Sequence, residues 1–130
     1  MNLPLTGINH IDKDHIAIID MLDDVFKQLS DPFSDFNEPL YTDTMLHILD
    51  YCSRHCKEEE ESMKGMDYPE ISIHHEKHLE MMQEIKENLR LTMEKKLSRK
   101  DNILKCRTIV IDHINFQDAP FSKFCKEVQK

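Results

Sequence analysis

The sequence predicts an all-α fold, an antiparallel up-down-up-down four-helix bundle with a short C-terminal tail. Three observations predict it. Apolar residues recur at three- and four-residue intervals through four long stretches. Glycine occurs only 2 times in 130 residues and tryptophan is missing, while Leu, Ile, Met, Glu and Lys dominate, which disfavours sandwiches and barrels built on repeated tight turns. Helix breakers gather at a few points only, and such short connections return consecutive helices antiparallel.

In the first stretch Ile8, Ile11, Ile18, Leu22, Val25 or Phe26, and Leu29 share one stripe, which predicts a helix ending near Ser30. Asp31 to Pro39 follows with Pro32, Ser34, Asn37 and Pro39, residues that end helices and supply turns or caps. A second helix is expected from about Leu40 to Lys64, with Gly65 placed as its C-terminal stop and Gly65 to Pro69 as a short connection. Periodicity resumes at Ile71 and carries a third helix through His74, His78, Met81, Ile85 and Leu89 into Glu94 to Lys96. Ser98-Arg99-Lys100-Asp101 reads as the capping-box start of a fourth helix bearing Ile103, Cys106, Val110 and His113. Pro120 is expected to stop that helix, leaving Phe121 to Lys130 as a packed tail whose Phe121 and Phe124 cover one bundle end. The length suits a single domain, 1–130, around one core.

A formal charge of −8 repels phosphate backbones and anionic lipid, and the 17 basic residues form no long block, so neither nucleic acid nor membrane is an expected partner. The N-terminal stretch has no apolar signal region, and no segment approaches ~18 uninterrupted apolar residues, so a soluble cytoplasmic protein is expected. Cys52, Cys56, Cys106 and Cys125 match neither a disulfide scaffold nor a paired zinc motif and read as free thiols. The methionines follow helical spacing and read as core filling.

The histidines carry the chemistry, because most of them fall on the apolar stripes. His15 lies between Ile11 and Leu22, His55 seven residues after Ile48, His74 and His78 between Ile71 and Ile85, and His113 seven after Cys106. Glu59 follows His55 by four, so both project from the inward face of the second helix. Imidazoles and a carboxylate buried without partners cost several kcal/mol each, large against a total stability of ~5–15 kcal/mol. A metal site resolves the conflict. One histidine on an apolar face is more often a hydrogen-bonded core residue than a ligand; joint placement on four helices reverses that expectation. His10, His47 and His75 match no ligand position, and Glu58, Glu60 and Glu61 read as a solvated acidic face.

With Ile11-Asp12-Lys13-Asp14-His15, His55-xxx-Glu59, His74-xxx-His78 and His113-xxxx-Asp118, one motif on each predicted helix, the chain resembles the hemerythrin family. The resemblance runs from about Gly7 to Asp118 and includes Glu59-Glu60, Met63 and Tyr68-Pro69 in the family's order. It implies two non-haem irons, one bound by His74, His78 and His113 and the other by His15 and His55, with Glu59 and Asp118 bridging. Five imidazole nitrogens, four carboxylate oxygens and a bridging oxo or hydroxo group then make one octahedral iron and one five-coordinate iron with an open position. The implied function is reversible binding of dioxygen for carriage, storage or supply, and not an enzymatic reaction. A sensor of oxygen, nitric oxide or redox state acting through a partner protein is the alternative, and a di-iron oxidase or peroxidase a further one. Five neutral ligands favour reversible binding over the chemistry of carboxylate-rich bundles.

The dioxygen pocket implied by the resemblance is walled by Ile18, Val110, Ile114, Ile109 and Cys56. Cys56 stands where hemerythrins usually carry a phenylalanine, and Ile109 where they carry a tryptophan. His113 and Asp118 are five residues apart, about 140° in a regular helix, so a π-type widening or bend is expected between them.

Overall fold

A computed structural model describes residues 3–128; Met1, Asn2, Gln129 and Lys130, the outer ends of the expected domain and tail, lie outside the described residues. Helix α1 spans Asn9–Ser30, α2 Glu38–Gly65, α3 Ile71–Met93 and α4 Arg99–Asp112; a π-helical segment, His113–Asp118, then runs into α5, Ala119–Val128. Both α1 and α3 pack on α2 and α4, which closes the four-helix ring that the stripes predict.

Local signals set the helix ends. Before α1, Gly7 holds φ 82°, a conformation costly for any side chain, and this turn lets Asp12 accept from Thr6 N (2.9 Å), Thr6 Oγ1 (3.0 Å) and Gly7 N (3.1 Å). Asn37 caps α2 by accepting from Leu40 N at 3.1 Å, and Ser98 caps α4 by accepting from Asp101 N at 3.0 Å. Gly65 is the last residue of α2, but the left-handed reversal falls on Asp67, φ 54°. Tyr68 N bonds Met63 O and Asp67 N bonds Lys64 O, a Schellman pair that buries Tyr68 against Met63. Lys95, φ 64°, ends α3 in the same way.

The stop expected at Pro120 does not occur. The π segment ends at Asp118, so Pro120 falls two residues past it, at the change from π to α geometry where the regular i→i+4 ladder is already interrupted. Ala119 before it keeps helical angles, φ −58° and ψ −42°. The tail is therefore a helix, and its Phe121 and Phe124 rings lie 5.1 Å and 5.0 Å from Tyr68, closing the bundle end as expected.

The interior has two apolar clusters. The larger includes Ile18, Leu22, Ile48, Cys56, Met81, Ile85, Cys106, Val110 and Ile114; the smaller comprises Ile11, Met63, Tyr68, Phe121 and Cys125. Along the chain three buried polar residues fall between them: His15 between Ile11 and Ile18, Glu59 between Cys56 and Met63, and Asp118 between Ile114 and Phe121. His74 and His78 lie between Ile71, packed on the smaller cluster, and Met81 of the larger. A polar layer therefore crosses the bundle with hydrocarbon on both sides.

Candidate metal centre

All seven residues singled out as ligands meet in that layer. His15 comes from α1, His55 and Glu59 from one face of α2, His74 and His78 from successive turns of α3, and His113 and Asp118 from the two ends of the π segment. An i→i+5 repeat sets residues five apart above one another, so the π turn returns Asp118 to the face of His113. This is the distortion that their spacing requires. None of the seven is more than 8 % exposed, and Glu59 is fully buried.

The ligand-type atoms form two groups that share Glu59. In one, Glu59, His74, His78, His113 and Asp118 each offer an atom within 4.8 Å of the others; in the second, His15, His55 and Glu59 do. Each carboxylate divides its oxygens between the groups. Glu59 Oε1 lies 2.6 Å from His74 Nε2 and 3.2 Å from His78 Nε2, while Oε2 lies 3.5 Å from His15 Nε2 and 3.4 Å from His55 Nε2. Asp118 Oδ1 lies 2.9 Å from His74 Nε2 and 3.1 Å from His113 Nε2, while Oδ2 lies 3.1 Å from His15 Nε2.

Of these approaches only those of His74 and His78 to Glu59 Oε1 are hydrogen bonds. His15 Nδ1 and Nε2, Glu59 Oε2, His113 Nε2 and both Asp118 oxygens are buried and have no aligned partner. All of these except His15 Nδ1 nonetheless lie within 3.5 Å of an atom they could pair with. Their lone pairs converge without facing one another, the arrangement that cations between them would satisfy. Nitrogen and carboxylate donors at this density suit iron, zinc or manganese.

Charge is shared within the layer. Burial opposes protonation of His15 and His74, but Asp118 and Glu59 outweigh it and raise both to about 9. His55 is raised against the same burial, by Glu59 and then by Asp14. Burial also disfavours the carboxylates; the imidazoles of His15, His55, His74 and His78 nevertheless hold Glu59 well below the usual range. Burial and Glu59 push Asp118 up, and His113, His15 and His74 together bring it down to about 2.

The structure adds residues that spacing did not single out. Asp14 Oδ2 accepts from His55 Nδ1 at 3.1 Å, and its Oδ1 accepts from the Tyr51 hydroxyl at 2.7 Å. Glu60, read from sequence as solvated, is half-buried and accepts from His78 Nδ1 at 2.7 Å and from exposed His75 through its other oxygen. A carboxylate on Nδ1 fixes the ring's orientation and leaves the Nε2 lone pair facing the layer. The one available signal was that a ligand histidine usually has such a partner. His10 and His47 are exposed, apart from the layer.

A cavity of about 10 Å³ adjoins the layer, room for about one water-sized molecule. His15, His55, His78, His113 and Asp118 border it, and Ile18, Cys52, Cys56, Met81, Val110 and Ile114 complete the wall. Burial pushes the Cys52 thiol up to about 12 and raises Cys56 as well, so both stay neutral. Ile109 does not line this cavity. It is half-buried at two grooves on the outside, about 100° round the helix from Val110, which takes the inward direction. Cys52 and Met81 are the wall residues that spacing did not nominate.

No family model, curated protein or solved structure matches the chain. The buried cluster of His, Glu and Asp on four helical elements is a candidate metal-binding site on its own geometry.

Proposed function

We propose that the chain binds dioxygen reversibly at a pair of iron ions, as its resemblance to hemerythrins implies. The observation that carries this reading is an imbalance of protein ligands beside the cavity. His74, His78 and His113 with one oxygen from each carboxylate offer five groups; His15 and His55 with the remaining oxygens offer four. Both imidazoles of the four-group side border the cavity, as do His78 and His113 of the other side, so the side short of a ligand has free space beside it for one more.

Two ferrous ions held there would supply the electrons for reversible capture of dioxygen. The chain's own residues prepare the place. Glu59 and Asp118 join the two halves, Asp14 and Glu60 hold the rings of His55 and His78, and Ile18, Met81, Val110 and Ile114 keep bulk water away. Apart from the ligand-type residues, no group lining the cavity is an acid or base near neutrality, which supports binding over turnover. The free, buried cysteines suit a reducing cytoplasm, and no helix among the described residues is long and apolar enough to cross a membrane.

Metal analysis with optical spectra under air and argon tests the proposal. The expected result is about two irons per chain and a charge-transfer band that forms in air and fades on deoxygenation. One metal or none, or a band that never reverses, overturns it; rapid one-way oxidation in air shifts the role to redox sensing.

A further inference from the structure

The cavity is separated from solvent by one thin wall. On the outer side of α3, α4 and the π segment lies a surface groove of about 320 Å³, and two residues line both spaces, Met81 and His113. These are also the most exposed members of the layer's surroundings at that point, 9 % for Met81 and 8 % for His113. His113 stands at the head of the π segment and turns its Nε2 into the layer, 3.1 Å from Asp118 Oδ1. Met81 is unbranched, carries no polar anchor, and has three rotatable side-chain bonds, so it is the part of the wall able to swing.

We propose that Met81 is the gate through which small molecules pass between the α3/α4 groove and the site, and that this passage selects neutral diatomic gases over small anions. The proposal rests on the reading of the site as one that binds a gas. Past the gate the walls apart from the ligand-type side chains are uncharged, and the room is that of about one water-sized molecule, which excludes organic substrates. The groove outside the gate is lined by Glu80, Glu84 and Asp112 against a single cation, Lys77, and Lys77 already pairs with Glu80 at 3.4 Å. That field repels azide or nitrite approaching from water and leaves an uncharged diatomic unaffected.

The test uses the iron-loaded full chain, with Met81→Ala to open the gate and Met81→Phe to obstruct it, each compared with the native melting curve. Dioxygen association and release, followed by stopped flow, are expected to speed about tenfold in Met81→Ala and slow about tenfold in Met81→Phe, with affinity changed by less than about threefold, because a gate acts on both directions equally. Azide association is expected to quicken as salt is raised, and dioxygen association to stay level. Rates within about twofold of native in both variants, or azide association that slows with salt, overturn the gate. The zinc-loaded chain separates this failure from failure of the di-iron reading. There, the rate at which dissolved dioxygen exchanges into the cavity, read from relaxation dispersion of the Ile18, Val110 and Ile114 methyls, should be higher in Met81→Ala. If this occurs in a chain whose iron form takes up no dioxygen, the gate stands and the di-iron reading falls; no difference between native and Met81→Ala removes the gate.

Discussion

Metal loading of the metal-free chain should release protons, and the amount follows from the polar layer. In the metal-free protein His15 and His74 are held at about 9 by Asp118 and Glu59. At pH 7.5 a group of that pKa is roughly 97 % protonated, so binding that needs both Nε2 lone pairs must expel about two protons from these residues alone. Apparent affinity should therefore rise with pH, with a slope of about two in log affinity per pH unit between roughly pH 7 and 8.5. The same shifts fix the stability of the metal-free form. A rise from 6.5 to about 9 corresponds to roughly 3 kcal/mol for either histidine; the two share carboxylates, so the values do not add. That stabilisation is complete below about pH 6.5 and is lost as pH rises through about 9. The Asp118 contribution is complete above its ordinary 3.8 and is lost as pH falls towards about 2. The gap in melting temperature between metal-loaded and metal-free chain should consequently widen from pH 6 to pH 9. Calorimetric titration with zinc in two buffers of different ionisation enthalpy counts the protons. Release close to zero at pH 7.5 would refute the reasoning, since it would mean that the carboxylates do not hold these imidazoles charged.

Four substitutions and one deletion probe the site from other directions. Glu59→Gln removes the anion shared by both ligand groups and should cost the metal-free chain about 3–5 kcal/mol in chemical denaturation, with metal content reduced to about one per chain or less. Glu60→Ala and Asp14→Ala free the rings of His78 and His55, and each should weaken metal binding by about 10–100-fold in a chelator competition, with the helical circular dichroism signal retained. Deleting Phe116, which is 69 % exposed, shortens the His113 to Asp118 spacing to four and lets a regular helix keep both on one face. Metal content should survive that deletion, and its loss would show that the π turn does more than restore phase. Cys56→Phe places a ring where the cavity has about 10 Å³, so it should destabilise the fold by roughly 1–3 kcal/mol and suppress azide binding; unchanged stability would mean that the wall repacks.

How much of this was legible in the sequence depends on which distances the chain itself fixes. Apolar stripes and i,i+4 pairs are set by helical geometry alone, so the helices, the inward His55 and Glu59, and the paired His74 and His78 followed from spacing. Counting five residues from His113 to Asp118 was enough to require the π turn. Contacts between elements leave no such trace. Asp14 reaches His55 across 41 positions. Glu60 sits one residue from Glu59 and points about 100° away, a direction that is solvent on an isolated helix but meets His75 and His78 once α3 lies alongside. Ile109 and Val110 were both assigned to the pocket wall; His55 and Cys56 show that neighbours can share it, but here Val110 faces in and Ile109 faces the outer grooves. Pro120 misled because the chain runs on helically through it, two residues past the π segment that has already distorted the regular α-helical ladder.

The layer's energetics decide between a structural and a functional origin. Six buried polar atoms lack an aligned partner, and at about 1–3 kcal/mol each they would consume a sum comparable to the whole stability of a small domain, about 5–15 kcal/mol. The ion pairs of the metal-free layer recover part of this, yet apolar residues of similar volume would stabilise the bundle as well or better, as they do on either side at Ile11, Ile18, Met63 and Ile114. Packing therefore gives no reason for five imidazoles and two carboxylates at this level. Coordination would: it would use five of the six unaligned atoms, all but His15 Nδ1, would add its binding free energy to folding, and would account for both the division of each carboxylate between two ligand groups and the widened turn that brings Asp118 round.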